Sequence, residues 1–136
     1  MIKLLIVEDQ REISDLLKEL LTLLSKKKIR IDQCSNARSA VSMISEKSYD
    51  IVFTDMDLSD KFLGGDFVAK WAKDYNCFVV LCTGCATPAS LLRGDARSID
   101  YVLRKPFTAE ELRYIISLYD KSKEENLYST PSIEIL

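Results

Sequence analysis

The chain has 136 residues and a formal net charge of −2; 47% of its residues are hydrophobic and 29% are charged. This composition is typical of one globular domain, and the near-neutral balance excludes a general electrostatic attraction to nucleic acids or anionic membranes. The chain contains no histidine. It therefore has no imidazole base, no imidazole metal ligand and no phosphohistidine of its own.

The sequence shows no targeting or membrane-spanning segment. Its apolar runs are only as long as strands, and the N-terminal MIKLLIVEDQ reaches acidic residues too early for a secretory signal. We therefore expect a cytoplasmic protein without membrane insertion, in which the four cysteines are thiols. Cys82 and Cys85 have the C-x-x-C spacing of some redox and zinc sites. Because Cys82 lies in an apolar run and histidine is absent, we interpret it as a core residue.

Five short runs have the composition of β-strands. They are predicted at Ile2–Val7, Ile29–Cys34, Asp50–Asp55, Cys77–Thr83 and Tyr101–Lys105. The second run alternates apolar and polar residues, which is typical of a strand at the edge of a sheet. The fourth run is the most apolar, which favours a central strand.

Helical periodicity follows each predicted strand. Apolar residues three and four apart indicate helices between Ile13 and Leu24, between Ala37 and Ile44, and between Phe67 and Tyr75. Ser35 or Asn36 is the expected cap of the second helix. The start of a weak fourth helix is expected at Thr87-Pro88, with Gly94 interrupting it.

The last helix has the clearest start signal. Thr108 and Glu111 form a capping box, and an apolar face follows at Leu112, Ile115, Ile116 and Tyr119. We expect this helix to end near residue 120. The tail, residues 121–136, is then predicted to be flexible over most of its length because it can bury little apolar surface. Its SIEIL segment is a candidate for strand addition to a partner's sheet.

The alternation of strands and helices predicts an α/β fold with a parallel sheet and right-handed crossovers. Five such units within residues 1–120 fit a doubly wound five-stranded parallel sheet, (βα)5, with the flavodoxin-like strand order 2-1-3-4-5. We therefore predict one domain over residues 1–120. The alternating second strand agrees with its edge position in this order.

Charged and polar residues follow the predicted strands at the end where ligands bind in such folds. Strand 1 ends in Glu8 and Asp9, strand 3 in Asp55, strand 4 in Thr83 and strand 5 in Lys105. Three neighbouring carboxylates repel one another and raise one another's pKa. A hard divalent cation relieves this repulsion, so we predict a Mg²⁺ site, with Mn²⁺ as an alternative.

The same residues suit phosphoryl transfer. Lys105 supplies a positive charge for one phosphate oxygen, and the Thr83 hydroxyl can donate a hydrogen bond to another. A free carboxylate oxygen of Asp55 can attack phosphorus and form an acyl phosphate, while the metal neutralises the charge that develops.

In these motifs the chain resembles the receiver domain of two-component response regulators, over residues 1 to about 120. LLIVEDQ resembles the first strand of that family with its acidic pair, DIVFTDMDL its phosphoacceptor strand, VVLCTG the strand with its switch hydroxyl, and LRKPF the strand with its lysine. The resemblance implies that Asp55 is the phosphoacceptor. It also implies that the backbone carbonyl of Asp57 completes the Mg²⁺ shell and that the Lys105–Pro106 peptide is cis.

Three positions depart from the family pattern. Ser59 stands where the family usually has proline, and the glycines Gly64 and Gly65 come later than usual, which indicates a longer loop after strand 3. The usual position of the switch aromatic, three residues before the lysine, holds Val102, with Tyr101 one residue earlier.

The resemblance further implies that the positions of Asp57 and Cys85 tune the access of hydrolytic water.

The resemblance implies a stand-alone phosphoacceptor signalling switch, which catalyses its own phosphotransfer and slow dephosphorylation but is not otherwise an enzyme. Because the chain lacks histidine, the phosphoryl donor is expected to be a separate histidine kinase or phosphotransfer protein. We expect a downstream protein partner on the face formed by the fourth helix, fifth strand and last helix, and no nucleic acid partner.

Three alternatives remain open at this point. A phosphatase of the haloacid dehalogenase type would use Asp55 and Asp57 as its Asp-x-Asp, although that motif normally lies on the first strand. A flavin-binding module would need a phosphate loop where Glu8 and Asp9 stand. A receiver-like interaction module would never be phosphorylated, and the complete set of five residues argues against it.

Overall fold

A computed structural model describes residues 1–58, 64–84 and 98–129, with backbone only for residues 126–129. The predicted fourth helix falls within residues 85–97 and lies outside the described residues. Ser59, Cys85 and residues 130–136 lie outside them as well.

Five parallel strands form one sheet. They are β1 (Ile2–Val7), β2 (Ile29–Cys34), β3 (Ile51–Asp55), β4 (Phe78–Thr83) and β5 (Tyr101–Arg104). The strand order β2-β1-β3-β4-β5 confirms the predicted doubly wound topology, with β2 at an edge. The fourth strand was predicted to be central, and β4 does lie in the interior of the sheet, between β3 and β5. β3 and β4 are both buried along nearly their whole length, as expected for strands covered on both faces.

The register of the strands places their carboxyl ends at one edge. Thr54 of β3 pairs with Val7, the last residue of β1. Thr83 pairs with Arg104 at the end of β5, and the Lys105 amide donates to the Thr83 carbonyl at 2.9 Å. The residues that follow β1, β3, β4 and β5 therefore meet in one place, as predicted.

Four helices are described. They are α1 (Arg11–Leu24), α2 (Ala37–Glu46), α3 (Gly65–Asp74) and α4 (Ala109–Ser129). Asn36 caps α2, because its side chain accepts a hydrogen bond from the Ser39 amide. At the start of α4, the Thr108 hydroxyl oxygen accepts a 3.2 Å bond from the Glu111 amide, which confirms the predicted cap.

The helices cover the sheet in two layers. α1 and α4 pack on one face, where the predicted apolar face of α4 is buried in full, at Leu112, Ile115, Ile116 and Tyr119. α2 and α3 pack on the other face through small residues, namely Ala37, Ala40, Ala69 and Ala72. Burying each large aliphatic side chain stabilises the fold by about 1.5–3 kcal/mol.

The outer surface of α3 differs from the prediction. The aromatic residues Phe67 and Tyr75 were predicted on its apolar face but are 40% and 47% exposed. Trp71 stacks between them, with ring centroids 6.1 Å from Phe67 and 6.0 Å from Tyr75. The sheet accepts the small side chains of α3 instead, because they allow the helix to lie closer to it.

The predicted end of the last helix near residue 120 is wrong, since α4 continues to Ser129. The apolar pattern stops at Tyr119 because the helix leaves the sheet there. Beyond this point lysine and glutamate are good helix formers that need no core contact. No helix within the described part of the chain is both long and apolar enough to cross a membrane.

Candidate functional site

Three carboxylates converge at the carboxyl edge of the sheet. Glu8 and Asp9 follow β1, and Asp55 ends β3; one oxygen from each lies within 4.8 Å of the others. Glu8 and Asp55 are each only 5% exposed, while Asp9 is half-buried. Buried carboxylates need hydrogen bonds or opposite charge, so their partners decide what this cluster can do.

Lys105 lies between two of the three carboxylates. Its Nζ is 2.9 Å from Glu8 Oε1 and 3.3 Å from Asp55 Oδ1. It follows β5 directly, and the Lys105–Pro106 peptide is cis, as the resemblance implied. Among these four side chains a single ammonium faces three carboxylates, so the site carries surplus negative charge.

Burial and neighbouring charge set the protonation of this site. Burial raises the pKa of Glu8 above its ordinary value, and the Asp55 carboxylate adds to the rise, against the lowering effect of its hydrogen bonds to Lys105 and Gln10. Burial alone lowers the pKa of Lys105, but the hydrogen bond and charge of Glu8 and the charge of Asp55 outweigh it, so the pKa is raised. Lys105 is therefore fully protonated at neutral pH.

Backbone amides orient the carboxylates. The Asp57 amide donates to Asp55 Oδ1 at 3.2 Å, and the Gln10 amide donates to Glu8 Oε2 at 3.1 Å. Asp57 itself is exposed. Its amide lies beside the Asp55 carboxylate, while the metal-binding role of its carbonyl stays a prediction.

Gly65 lies against the backbone at the end of β3, a role that the sequence analysis missed. A Cβ at Gly65 would overlap the carbonyl oxygen of Asp55 and lie 2.7 Å from the Met56 Cα. The Gly65 amide also donates to the Met56 carbonyl at 3.2 Å. Only glycine allows α3 to begin this close to the backbone of Asp55, and the Gly64-Gly65 pair was the available signal.

Thr83 completes the predicted set. It is 1% exposed at the end of β4, on the strand next to that of Asp55. The residue that follows, Gly84, has open space where a Cβ would lie. Its small size is therefore not required by the described neighbours.

Tyr101 and Val102 point to opposite faces of β5, because side chains alternate along a strand. Tyr101 packs on the α1–α4 face, with its ring edge-to-face to Tyr114 at 5.9 Å. β5 pairs with β4 residue by residue from Tyr101 to Arg104, so the register has no bulge that would place Tyr101 at the usual aromatic position.

The donor set fits a hard divalent cation. It offers carboxylate oxygens only, from three residues close enough to share one ion, and it lacks the nitrogen and sulfur ligands that softer metals prefer. A cavity of about 550 Å³ opens beside Glu8 and Asp9, between α1 and the end of β2. The edge of the site is therefore open to an approaching molecule.

The sequence matches one family model, and the fold is similar to solved structures of the same family. Residues 4–117 match the family model of the response regulator receiver domain. The fold is similar to a response regulator receiver domain protein from Clostridium thermocellum, with 23% identity, 91% of this chain and 98% of that chain covered, and a TM-score of 0.78.

Two further solved structures share this fold. One is the signal receiver domain of a putative LuxO repressor protein from Vibrio parahaemolyticus, with 22% identity, coverage of 93% and 96%, and a TM-score of 0.79. The other is the signal receiver domain of a modulated diguanylate cyclase from Desulfovibrio desulfuricans, with 24% identity, coverage of 91% and 97%, and a TM-score of 0.78. No curated protein matches the chain.

Proposed function

The chain belongs to the family of response regulator receiver domains, which are signalling domains, and on this premise we propose that Asp55 is the residue that accepts the phosphoryl group. The observation that supports this most is the position of Asp55 between the acidic pair and Lys105. Phosphorylation there changes the conformation of the domain, which then regulates a partner protein.

The contacts of Asp55 suit a nucleophile. Within the described residues, Lys105 and the Asp57 amide both contact Oδ1, which leaves Oδ2 to attack. Glu8 is less suitable, because both of its oxygens are engaged, Oε1 by Lys105 and Oε2 by the Gln10 amide. Burial of Asp55 also keeps competing water away from its carboxylate.

Phosphotransfer moves the phosphoryl group from a donor nitrogen to a carboxylate oxygen of Asp55. Oδ2 of Asp55 attacks the phosphorus of a phosphohistidine donor, the new O–P bond forms, and the P–N bond breaks. The imidazole nitrogen leaves with the electron pair and takes a proton from solvent. In dephosphorylation, water attacks the same phosphorus and the Asp55 carboxylate leaves, so the acceptor is regenerated.

The acidic cluster provides the binding site for Mg²⁺ in this proposal. Glu8, Asp9, Asp55 and the backbone carbonyl of Asp57 would hold the ion, with Mn²⁺ as an alternative. When bound, the ion neutralises negative charge on the carboxylates and the phosphoryl oxygens. Glu8 then no longer depends on Lys105 for its opposite charge, and Lys105 is free to turn toward a phosphoryl oxygen.

Lys105 and Thr83 contact the phosphoryl group once it is attached to Asp55. Lys105 binds one phosphoryl oxygen as a point charge, and the Thr83 hydroxyl donates a hydrogen bond to another. We expect movement of Thr83 to rearrange residues 84–97, of which 85–97 lie outside the described residues, and the adjoining β5. The regular pairing of β5 and the contact of Tyr101 with Tyr114 favour a small shift of this face over a large rotation of an aromatic ring.

Partners follow from the chemistry. The chain has no histidine, so the donor is a separate histidine kinase or phosphotransfer protein, in a cytoplasmic setting. The downstream protein binds the face that includes β5 and α4. The exposed Asp57 and Cys85, which lies outside the described residues, are the positions from which the lifetime of the acyl phosphate would be tuned.

The phosphatase alternative receives no support from the family match, and Asp57 is exposed while its amide, not its carboxyl group, lies beside Asp55. A flavin module is disfavoured because Glu8 and Asp9 would repel the flavin phosphate. An interaction module without phosphorylation leaves the buried Glu8–Lys105–Asp55 arrangement without a use.

Intact-protein mass spectrometry after incubation with acetyl phosphate and Mg²⁺ tests the proposal. We expect the mass of one phosphoryl group on the wild-type chain and none on Asp55→Asn, with Asp57→Asn as the matched control that still gains it. Labelling that persists in Asp55→Asn would refute the assignment. Steady hydrolysis of p-nitrophenyl phosphate that requires Asp57 would favour the phosphatase instead.

A further inference from the structure

Three aromatic side chains form a continuous surface on the outside of α3. Phe67, Trp71 and Tyr75 follow one another at intervals of four residues, and their rings stack with centroid distances of 6.1 Å and 6.0 Å. Phe67 and Tyr75 are largely exposed, and Trp71 is half-buried. We refer to these three residues as the α3 aromatic surface. Neighbouring exposed aromatic side chains of this kind indicate a binding surface.

The contact between α3 and the sheet uses the opposite face of the helix, where Val68, Ala69 and Ala72 are fully buried. On the outer face, Trp71 is held in place because its Nε1 donates a 3.1 Å hydrogen bond to Ser45 Oγ on α2. The stacked rings are therefore already ordered in the single chain. A partner that packs on them costs little additional side-chain entropy, which favours binding at this surface.

Two charged residues beside the α3 aromatic surface indicate what kind of partner fits. Lys70 and Asp74 are both exposed, and neither forms an ion pair with another described residue. Because they are four residues apart, they lie along the same edge of the helix. A complementary partner therefore carries aromatic side chains together with one negative and one positive charge along one edge, and α3 of a second copy has this composition.

The spacing of these residues favours an antiparallel pair of α3 helices. If Trp71 lies at the two-fold axis, Phe67 is opposite Tyr75 of the second copy, since both are four residues from Trp71. Lys70 of each copy is then only two residues, about 3 Å along the helix axis, from Asp74 of the other, a distance that the lysine side chain spans. A parallel pair would instead place each charge beside its like.

We propose that the chain forms a symmetric dimer through the α3 aromatic surface, with the two α3 helices antiparallel. The two-fold symmetry repeats each contact, which gives two pairs of Phe67 with Tyr75 and two pairs of Lys70 with Asp74. α3 has ten residues and is about 15 Å long, so the contact is smaller than the roughly 800 Å² per partner of stable complexes. The dimer is therefore weak and forms at high protein concentration.

Sedimentation of the full, unphosphorylated chain between about 10 µM and 1 mM tests the proposal. The dimer fraction of the wild type should rise over this range. Trp71 is the single tryptophan, so its emission should move to shorter wavelength as the dimer buries it. The double variant Phe67→Ser/Tyr75→Ser should stay monomeric. Tyr114→Ser is the matched control, because it removes an exposed aromatic residue from α4 and should associate like the wild type.

Exchange of the two charges provides a second set of variants on exposed positions. Lys70→Asp alone places aspartate opposite Asp74, and Asp74→Lys alone places lysine opposite Lys70, so each variant should self-associate about tenfold more weakly. An equal mixture of the two variants restores both opposite-charge pairs between different copies and should form mixed dimers about as tightly as the wild type. The double variant Lys70→Asp/Asp74→Lys should also regain wild-type association.

Three outcomes would overturn the proposal. A wild-type chain that stays monomeric at the highest concentration would show that the α3 aromatic surface does not bind a second copy. Loss of association in Tyr114→Ser would place the interface on α4. Single charge variants that associate like the wild type, or that gain nothing on mixing, would show that the two α3 helices do not meet antiparallel. Because the surface lies outside the carboxylate cluster, Asp55→Asn should dimerise like the wild type, whether or not Asp55 is the phosphoacceptor.

Discussion

The two ends of the sheet use carboxylates in opposite ways. At the amino end, Asp50 Oδ2 accepts from the Lys3 amide at 2.8 Å, and the Asp50 amide donates back to the Lys3 carbonyl at 2.7 Å. Asp100 accepts from the Val79 amide at 2.7 Å and pairs with Lys73 at 2.8 Å. Each of these acids precedes one strand and accepts a hydrogen bond from the backbone of the neighbouring strand, so its partners lie within the fold.

At the carboxyl end the carboxylates are clustered instead. One oxygen from each of Glu8, Asp9 and Asp55 lies within 4.8 Å of the others, and Lys105 pairs with both Glu8 and Asp55. Mutual repulsion and burial make this arrangement costly without a cation. A carboxylate whose hydrogen-bond partners lie on the neighbouring strand therefore stabilises the fold, whereas a cluster of carboxylates indicates where a ligand binds.

The largest expected effect distinguishes the functional role of Asp55 at the carboxyl end from the structural role of Asp100 at the amino end. Asp55→Asn should abolish phosphorylation and leave the stability of the domain nearly unchanged. Asp100→Ala should do the reverse, with phosphorylation retained and a loss of about 1–3 kcal/mol in the free energy of unfolding, because the buried Val79 amide loses its acceptor. Acetyl phosphate labelling and urea unfolding measure the two properties. Loss of labelling in a folded Asp100→Ala would contradict the separation.

Gly65→Ala tests the packing that holds the carboxyl end in place. The new methyl group meets the Asp55 carbonyl and the Met56 backbone, so we expect a loss of about 1–3 kcal/mol in unfolding free energy. The rate of labelling should also fall, since the backbone of Asp55 must move. Gly84→Ala is the control, because no described residue lies within 4 Å of where its Cβ would stand. Equal stability and labelling in both variants would show that the contact at Gly65 is relieved without consequence.

Lys105→Met tests the surplus of charge. Removal of the ammonium that contacts Glu8 and Asp55 should tighten Mg²⁺ binding by roughly threefold to tenfold, although the variant should be labelled more slowly. Glu8→Gln should weaken Mg²⁺ binding by a similar factor. Calorimetry at constant pH measures both affinities. Weaker binding by Lys105→Met would show that the lysine organises the cluster more than it competes with the ion.

The smallest expected effect is an opposite pH dependence of stability at Asp32 and at Glu8. Asp32 accepts a 2.6 Å hydrogen bond from the Tyr49 hydroxyl. This bond is the main reason why the pKa of Asp32 lies below 3.8; the positive charges of Lys47 and Arg30 lower it as well, while burial acts in the opposite direction. Its contribution to stability is present above pH 3.8 and is lost as the pH falls through the folded-state pKa. Asp32→Asn should therefore weaken the acid-induced loss of stability.

Glu8 has the reverse sign, because burial and the charge of Asp55 raise its pKa above 4.5. Its favourable contribution is present below pH 4.5 and is lost as the pH rises through the folded-state pKa. In metal-free protein, Glu8→Gln should therefore become more stable relative to the wild type as the pH rises through the folded-state pKa of Glu8. Urea unfolding between pH 3 and 7, values chosen to bracket both ordinary carboxyl pKa values, measures both variants. A pH dependence of unfolding free energy with the same sign at both residues would contradict the opposite signs expected for Asp32 and Glu8.

Much of the site followed from local signals. Asp55, Thr83 and Lys105 were predictable because each directly ends or follows an apolar strand, and parallel strands bring their carboxyl ends to one edge. The cap at Thr108 and the apolar face of α4 were equally clear. These features depend on residue type and spacing alone, which a sequence displays directly.

The errors share a different cause. The outward position of Phe67 and Tyr75 and the extension of α4 to Ser129 depend on what a helix packs against. Small residues such as Ala69 and Ala72 fill the narrow space between α3 and the sheet, although larger aromatics give the stronger apolar signal. Residues 121 and 123–125 at the polar end of α4 are exposed, so no apolar pattern is needed there.

The order of the elements, the strand order and the identity of the residues at the carboxyl edge could be predicted from the residues alone, because these follow from periodicity and from the geometry of parallel crossovers. The folded structure was needed to show that Lys105 pairs more closely with Glu8 than with Asp55, and that Gly65 lies against the backbone of Asp55. Both are distances between segments far apart in the chain, and such distances are set by how closely strands and helices pack.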